Sequence, residues 1–334
     1  MKTLLITGAT GFTGHFIVDE AIAQNYKVIA AIRKNSRTEF LINRKVEIIQ
    51  LTINDKKLLS EELKSLKKKF GIPQLIIHNA GLTQALHKEN YIETNAKNTE
   101  NLIENLLENQ MLPEKFIFTS SIAAAGPGNK STMEFITENK VENPVTYYGK
   151  SKLMAEKIIK KYNALPWIIL RPTAIYGPGD KNSLLIYKSI KRGLEFFAIN
   201  RSQKLTFVYV EDFAKAILQV ANSNKIRETY NLSDGKVYAV SEFNSLIKCT
   251  LESKTVKIAF PKIILKCIAL FSEIFSKVSG NISILSRDKL NELTATNWKC
   301  DSSKIQQEIG FNAITDLKSG ISKTAKWYKE NGWI

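Results

Sequence analysis

A chain of 334 residues, 44% hydrophobic and 24% charged, has the composition of an ordinary globular protein; it excludes long disorder and leaves room for one large domain or two lobes. Three widely spaced cysteines (Cys249, Cys267, Cys300) and three scattered histidines support neither a disulfide framework nor a metal site, so no metal is expected and a reducing cytoplasmic compartment is. The net charge of +16 is mostly lysine spread along the chain, as in "LKSLKKKF", with no helix-turn-helix, RRM or zinc-finger pattern; a solvated surface is expected rather than a nucleic-acid partner, with a polyanion or anionic-lipid contact as the alternative.

From the N-terminus, short β-branched runs alternate with helical patterns. Strands are predicted at Lys2–Thr7, Lys27–Ile32, Val46–Leu51, Gln74–His78, Lys115–Thr119 and Trp167–Leu170. Helices are predicted at Phe12–Gln24, near Ser36–Asn43, at Lys56–Phe70, His87–Asn109 and Thr146–Tyr162. Continuous apolar strands suit burial on both faces, and their alternation with helices gives an α/β fold, a doubly wound parallel sheet of the Rossmann kind. After Arg171 the alternation loosens, although Thr206–Val210 and Asp212–Asn222 read as a strand and helix returning to the sheet domain. The expected boundaries are 1–173 plus 206–223 for a dinucleotide-binding domain, and 174–205 plus 224–334 for a smaller helix-rich substrate lobe. The apolar stretch Ile258–Val278 is interrupted by Lys262, Lys266, Glu273 and Lys277, so no membrane span is expected; it reads as a lobe helix, with the wall of an apolar pocket as the rival reading.

"LLITGATGFTGHFI" sets Gly8, Gly11 and Gly14 directly after the first strand, where a helix opens. A cofactor pyrophosphate would approach that backbone too closely for a Cβ, and the helix N-terminus supplies unpaired N–H groups. The spacing is G-x-x-G-x-x-G, one residue longer than the G-x-G-x-x-G fingerprint. At the end of the second strand, Arg33 and Lys34 stand with no acid before Glu39. Cations there suit the 2′-phosphate of NADP(H), which is favoured over NAD(H).

"NPVTYYGKSKLMAE" holds Tyr148 and Lys152 four residues apart, hence on one helix face. A nearby ammonium favours phenolate and brings a tyrosine within reach of proton transfer near neutrality. Tyr147 has only Ser151 at the same spacing. Thr119, Ser120 and Ser121 end the fifth strand, where one hydroxyl could donate to a developing oxyanion.

Taken in order, "TGATGFTG", "HNAG", "TNAKNTENL", "TSS", "YYGKSK", "LRPTAIYGPGD", "FVYVEDFAKAI" and "WKCDSSKIQQEIGF" resemble the extended short-chain dehydrogenase/reductase family, the epimerase/dehydratase group, over nearly the whole chain. The resemblance implies Ser121 as the catalytic serine, five residues before Gly126, with Tyr148 as acid/base and Lys152 as its partner. It implies a cofactor lying along Gly8, Thr10, Gly11, Phe12, Thr13 and Gly14, past Arg33 and Lys34 and the Asn79–Ala80–Gly81 turn. Asn95, Thr119, Tyr148 and Lys152 would support it, with Pro172 and Ile175 near the nicotinamide. A homodimer through paired helices is a further implication.

Two departures stand out. Thr52 occupies the place of the first acid of an Asp-x-x-Asp pair, leaving Asp55. Leu205, beside Lys204, occupies the place of a diphosphate-gripping arginine, which favours the reductase branch, resembling dihydroflavonol reductases and 3β-hydroxysteroid dehydrogenases. The leading expectation is hydride transfer between NADP(H) and a secondary alcohol or ketone. The rivals are a nucleotide-sugar epimerase or dehydratase with tightly bound cofactor, and a non-catalytic cofactor-binding protein.

Overall fold

The computed structural model describes residues 1–198, 203–279 and 285–334. In chain order the elements are β1 (Thr3–Thr7), α1 (Gly14–Ala23), β2 (Lys27–Ile32), β3 (Val46–Gln50), α2 (Lys56–Phe70), β4 (Leu75–His78), α3 (Lys88–Ile92), α4 (Asn98–Glu108), β5 (Lys115–Thr119), α5 (Ile122–Ala125), α6 (Tyr147–Lys161) and β6 (Trp167–Pro172). There follow β7 (Ala174–Tyr176), α7 (Lys181–Lys191), β8 (Leu194–Ala198), β9 (Lys204–Leu205), β10 (Phe207–Tyr209), α8 (Val210–Asn222), β11 (Glu228–Leu232), β12 (Tyr238–Ala239), α9 (Val240–Thr250), β13 (Val256–Phe260), α10 (Lys262–Ser279), α11 (Arg287–Thr294), α12 (Ser303–Ile309) and α13 (Leu317–Glu330).

Seven strands form one sheet in the order β11-β6-β5-β4-β1-β2-β3. The pairs from β6 to β3 are parallel. At the β11 edge, Arg227 N donates to Trp167 O and Thr173 N to Leu232 O, bonds that advance in the same direction along both strands. Leu4, Leu5 and Ile6 of β1 and Phe116, Ile117 and Phe118 of β5 are wholly buried, which is why these strands read as unbroken apolar runs. Helix α2 shows the complementary pattern: Leu59, Leu63 and Leu66 recur on one face and bury themselves in the core, while Asp55 caps the helix by accepting from Lys57 N and Leu58 N. The strand order reverses between β1 and β4, so the carboxyl ends of these two strands frame the crevice where ligands of open α/β sheets bind.

Contacts gather the chain into two compact units. The first comprises Met1–Ala124, Tyr147–Arg171 and Ala214–Tyr230; the second comprises Ala125–Thr146, Pro172–Phe213 and Asn231–Ile334. The first has an aliphatic core. The second is built on aromatic rings, with Tyr176, Tyr187, Phe207, Tyr209, Tyr238, Phe243 and Tyr328 in one cluster, and its strands pair in twos.

Four local expectations are revised. Residues 36–43 form successive turns, bonded Leu41 N to Thr38 O and Arg44 N to Leu41 O, instead of a helix; the stretch is anchored by buried Leu41 and the Arg44–Asp19 ion pair. The helix expected over His87–Asn109 is interrupted by a π-turn at Glu93–Lys97. Phe207–Tyr209 pairs with β7 and stays out of the main sheet. The seventh strand is Glu228–Leu232, a stretch without a β-branched run.

Candidate active site

The glycine loop follows from what each position must tolerate. Gly8 turns with φ +73°, and a Cβ on it would sit 2.7 Å from Ala80 N, so the β1 and β4 ends can meet only over a glycine. At Gly14 a Cβ would lie 2.0 Å from Gly8 O. Gly11 differs: it is exposed, and the nearest atom to an added Cβ is Gly8 O at 3.3 Å, so its outer side is open to approach. No side chain caps α1, which leaves its N-terminal partial positive charge for an anion. Thr10 and Phe12 are half-buried beside it, and Thr13 exchanges hydrogen bonds with Asn79, Nδ2 donating to Oγ1 at 3.2 Å.

Behind the loop runs a directional chain of hydrogen bonds. Ala80 N donates to Thr7 Oγ1 at 3.1 Å, which lies 2.8 Å from His78 Nδ1; His78 Nε2 lies 3.0 Å from Thr99 Oγ1, which donates to Asn95 O at 2.8 Å. Since each hydroxyl has one proton, the chain is satisfied when His78 is neutral with its hydrogen on Nε2. Burial, aided by the Lys152 charge, pushes the imidazole down to about 3, which keeps it neutral. Asn95 sits inside the π-turn, whose extra residue aims its side chain at two neighbours. It receives Leu82 N at 2.7 Å and donates to Leu82 O at 3.0 Å and to Ser151 Oγ at 2.9 Å; Ser151 Oγ in turn donates to Tyr148 O at 2.7 Å. The chain thus ties the end of β1 to the first turn of α6.

Lys152 is 4% exposed, and its ammonium donates to Thr119 O at 2.7 Å above the Phe118 ring. Burial lowers it to about 8, partly offset by Glu156. A Cβ on Gly81 would come 3.0 Å from Lys152 Nζ and 3.2 Å from Asn95 Oδ1, so the Asn79–Gly81 turn, Asn95 and Lys152 converge. Tyr148, one turn back on α6, is half-buried with its ring 6.4 Å from that of Tyr91; Tyr147 is exposed.

The three hydroxyls ending β5 separate by partner. Ser120 donates to Glu156, which also pairs with Arg171 at 2.5–2.9 Å, all of it buried. Ser121 is half-buried; its Oγ accepts from Ala123 N at 3.1 Å, which leaves its own proton to donate outward. Thr119 Oγ1 is buried with no hydrogen-bond partner among the described residues. An open glycine, an uncapped helix end and an orphaned hydroxyl beside a buried ammonium fit a dinucleotide.

Arg33 and Lys34 are exposed after β2, Arg33 N donating to Ser36 Oγ. Pro172, buried at the end of β6, and Ile175, half-buried in β7, belong to the second unit. Thr52 is occupied by Glu62 and Asp55 by its helix cap. Leu205 packs on the aromatic cluster opposite Tyr238. Sequence reasoning missed His78, Thr7 and Thr99 as a unit, and missed Glu156 and Arg171; the "HNAG" motif and the Glu156 position, four after Lys152, were the available signals.

The fold is a Rossmann-type doubly wound α/β sheet. The profile of the "NAD dependent epimerase/dehydratase family" matches residues 4–233, and the chain belongs to that family, a group of NAD-dependent enzymes of the extended short-chain dehydrogenase kind. The chain is 29% identical to a putative UDP-glucose 4-epimerase of Methanocaldococcus jannaschii, covering 98% of this chain and 99% of that one. It is 23% identical to a ceramide reductase of Caulobacter vibrioides, covering 98% and 95%. In fold it is similar to the UDP-glucose 4-epimerase of Thermotoga maritima, with a TM-score of 0.78 at 21% identity and coverage of 98% and 99%.

Proposed function

We propose that the chain epimerises or dehydrates a nucleotide-linked sugar, with a nicotinamide dinucleotide retained along the glycine loop. This reverses the ranking that the sequence suggested. The family is the epimerase/dehydratase one, and the relative at 29% identity carries an epimerase name. The observation that carries the reading is the buried ammonium of Lys152, bonded to Thr119 O beside Gly81 and one helical turn from Tyr148.

A bound dinucleotide would supply the hydride acceptor and donor at its nicotinamide ring. Its pyrophosphate would be held by the backbone around Gly8, Gly11 and Gly14, and its ribose by Lys152. Tyr148 would take the proton from a sugar hydroxyl and return it, its phenolate favoured by the Lys152 cation. Ser121 would hold the same oxygen through its outward proton. Asn95, through Ser151, would fix where the first turn of α6 begins.

The test is the cofactor that accompanies the purified protein, followed by incubation with UDP-glucose and no added cofactor. Tightly bound NAD(H) and a changed sugar support the reading. Stoichiometric consumption of added NADPH against a ketone would sink it. That second outcome belongs to a reductase working on NADP(H), which two observations favour: the exposed Arg33 and Lys34 with no acid between β2 and Glu39, and Leu205 where a diphosphate grip would need a cation.

A further inference from the structure

Helix α10 carries its apolar side outward. At 100° per residue, Ile263, Cys267, Ile268, Phe271, Ile274 and Phe275 fall within an arc of about 140°. Ile263, Phe271 and Phe275 are each 70–73% exposed, Ile274 is 52% exposed and Cys267 lies open among them. The buried positions, Leu265 and Ala269, lie on the far side, against Leu290 of α11 and Phe260. An amphipathic helix normally hides its apolar arc, so this one is built to be covered by something.

The charges around it say by what. Residues 254–277 hold five lysines and one acid, Glu273, and that acid is tied to Arg287 at 2.8 Å. Lys254, Lys257 and Lys266 are exposed. A second copy of the same face would bring these lysines together, whereas an anionic lipid surface would attract them. Helix α10 is 18 residues long, and no helix among the described residues is long and apolar enough to cross a membrane.

We propose that α10 lies in the interface of an anionic membrane, with its exposed isoleucines and phenylalanines among the acyl chains and Lys254, Lys257 and Lys266 at the headgroups. The proposal is independent of the reaction, because the test reads no catalysis. The full chain is floated with vesicles of phosphatidylcholine alone or mixed with phosphatidylglycerol. It should rise with the mixed vesicles, and less so as salt is added. Phe271→Ser with Phe275→Ser should lose at least about tenfold of that partitioning while melting as the parent does, since each buried CH₂ counts substantially. Lys254→Glu with Lys257→Glu should lose the preference for phosphatidylglycerol.

In a Cys249→Ser background, an environment-sensitive fluorophore on Cys267 should shift to the blue when vesicles are added; Cys300 is buried. No flotation, an unshifted label, or a serine variant that floats like the parent overturns the proposal. So does a dimer, seen by sedimentation, that the serine variant dissociates, because a second copy would then cover the face.

Discussion

Helices α6 and α10 are close in length, 15 and 18 residues, and both are rich in lysine, yet they turn the residue to opposite uses. In α6 a lysine is buried, deprived of water and given a carbonyl oxygen and a ring face in return. In α10 Lys266 stands outside and the apolar residues stand out with it. The difference comes from what packs on each helix: α6 is covered by α3, α4 and the π-turn between them, whereas α10 rests on α11 through a narrow stripe. Burial turns a lysine into a tuned chemical group; exposure leaves it a point charge in a field.

The sharpest way to break this contrast is at α6. Tyr148→Phe keeps the ring and removes the proton, so turnover should fall by about 10²–10⁴-fold while dinucleotide affinity, measured by titration calorimetry, stays unchanged. Weakened cofactor binding in that variant would mean the phenol is structural. Next in size is the buried pair beneath it. Glu156→Gln leaves the Arg171 guanidinium buried without its counter-charge, a loss of about 3–5 kcal/mol in urea unfolding. The double variant Glu156→Leu with Arg171→Met should recover most of that stability. Failure of the double variant to recover would show that the pair, and not the burial of one lone charge, holds the ends of β5, β6 and α6 together.

Much of this region is legible in the sequence. Apolar β-branched runs mark the strands because both faces of a parallel sheet are buried, and Tyr148 with Lys152 is legible because i,i+4 is a property of any helix. What is not legible depends on tertiary partners. Nothing in "TNAKN" announces a π-turn, since the extra residue is held by Asn95 bonding to Leu82 and Ser151, groups distant in sequence. Ser120 and Ser121 are told apart in the sequence only by the resemblance that places Ser121 five residues before Gly126; the physical reason, that Ser120 is taken up by Glu156, is visible only in the fold. Glu228–Leu232 becomes a strand because β6 offers it an edge. In α10 the amphipathic period is plain, but the period cannot say which arc faces the protein.

A smaller effect tests the hydrogen-bonded chain that supports α6. His78 has an ordinary value of 6.5 in the unfolded chain and about 3 when folded. Between those values the unfolded state binds a proton that the folded state refuses, so stability falls as pH falls, by about 1.4 kcal/mol per pH unit. Above pH 6.5 neither state is charged and the contribution is constant. His78→Gln removes that slope, and comparing urea midpoints of parent and variant at a mildly acidic and a neutral pH reads it directly. Parallel midpoints would mean that the fold accepts the imidazolium, whose two ring N–H groups would then donate to Thr7 Oγ1 and Thr99 Oγ1.

The smallest expected effect sharpens the comparison most, because it is an effect predicted to be absent. Phe271→Ser with Phe275→Ser changes residues that are 70% exposed, so each should alter the unfolding free energy by less than about 0.5 kcal/mol. Two phenylalanines that cost nothing to lose are not part of any core, which is the result expected if their arc meets a surface outside the chain. If the double variant instead melts well below the parent in the absence of lipid, the arc is already covered in solution, and α10 would be packed in solution as fully as α6.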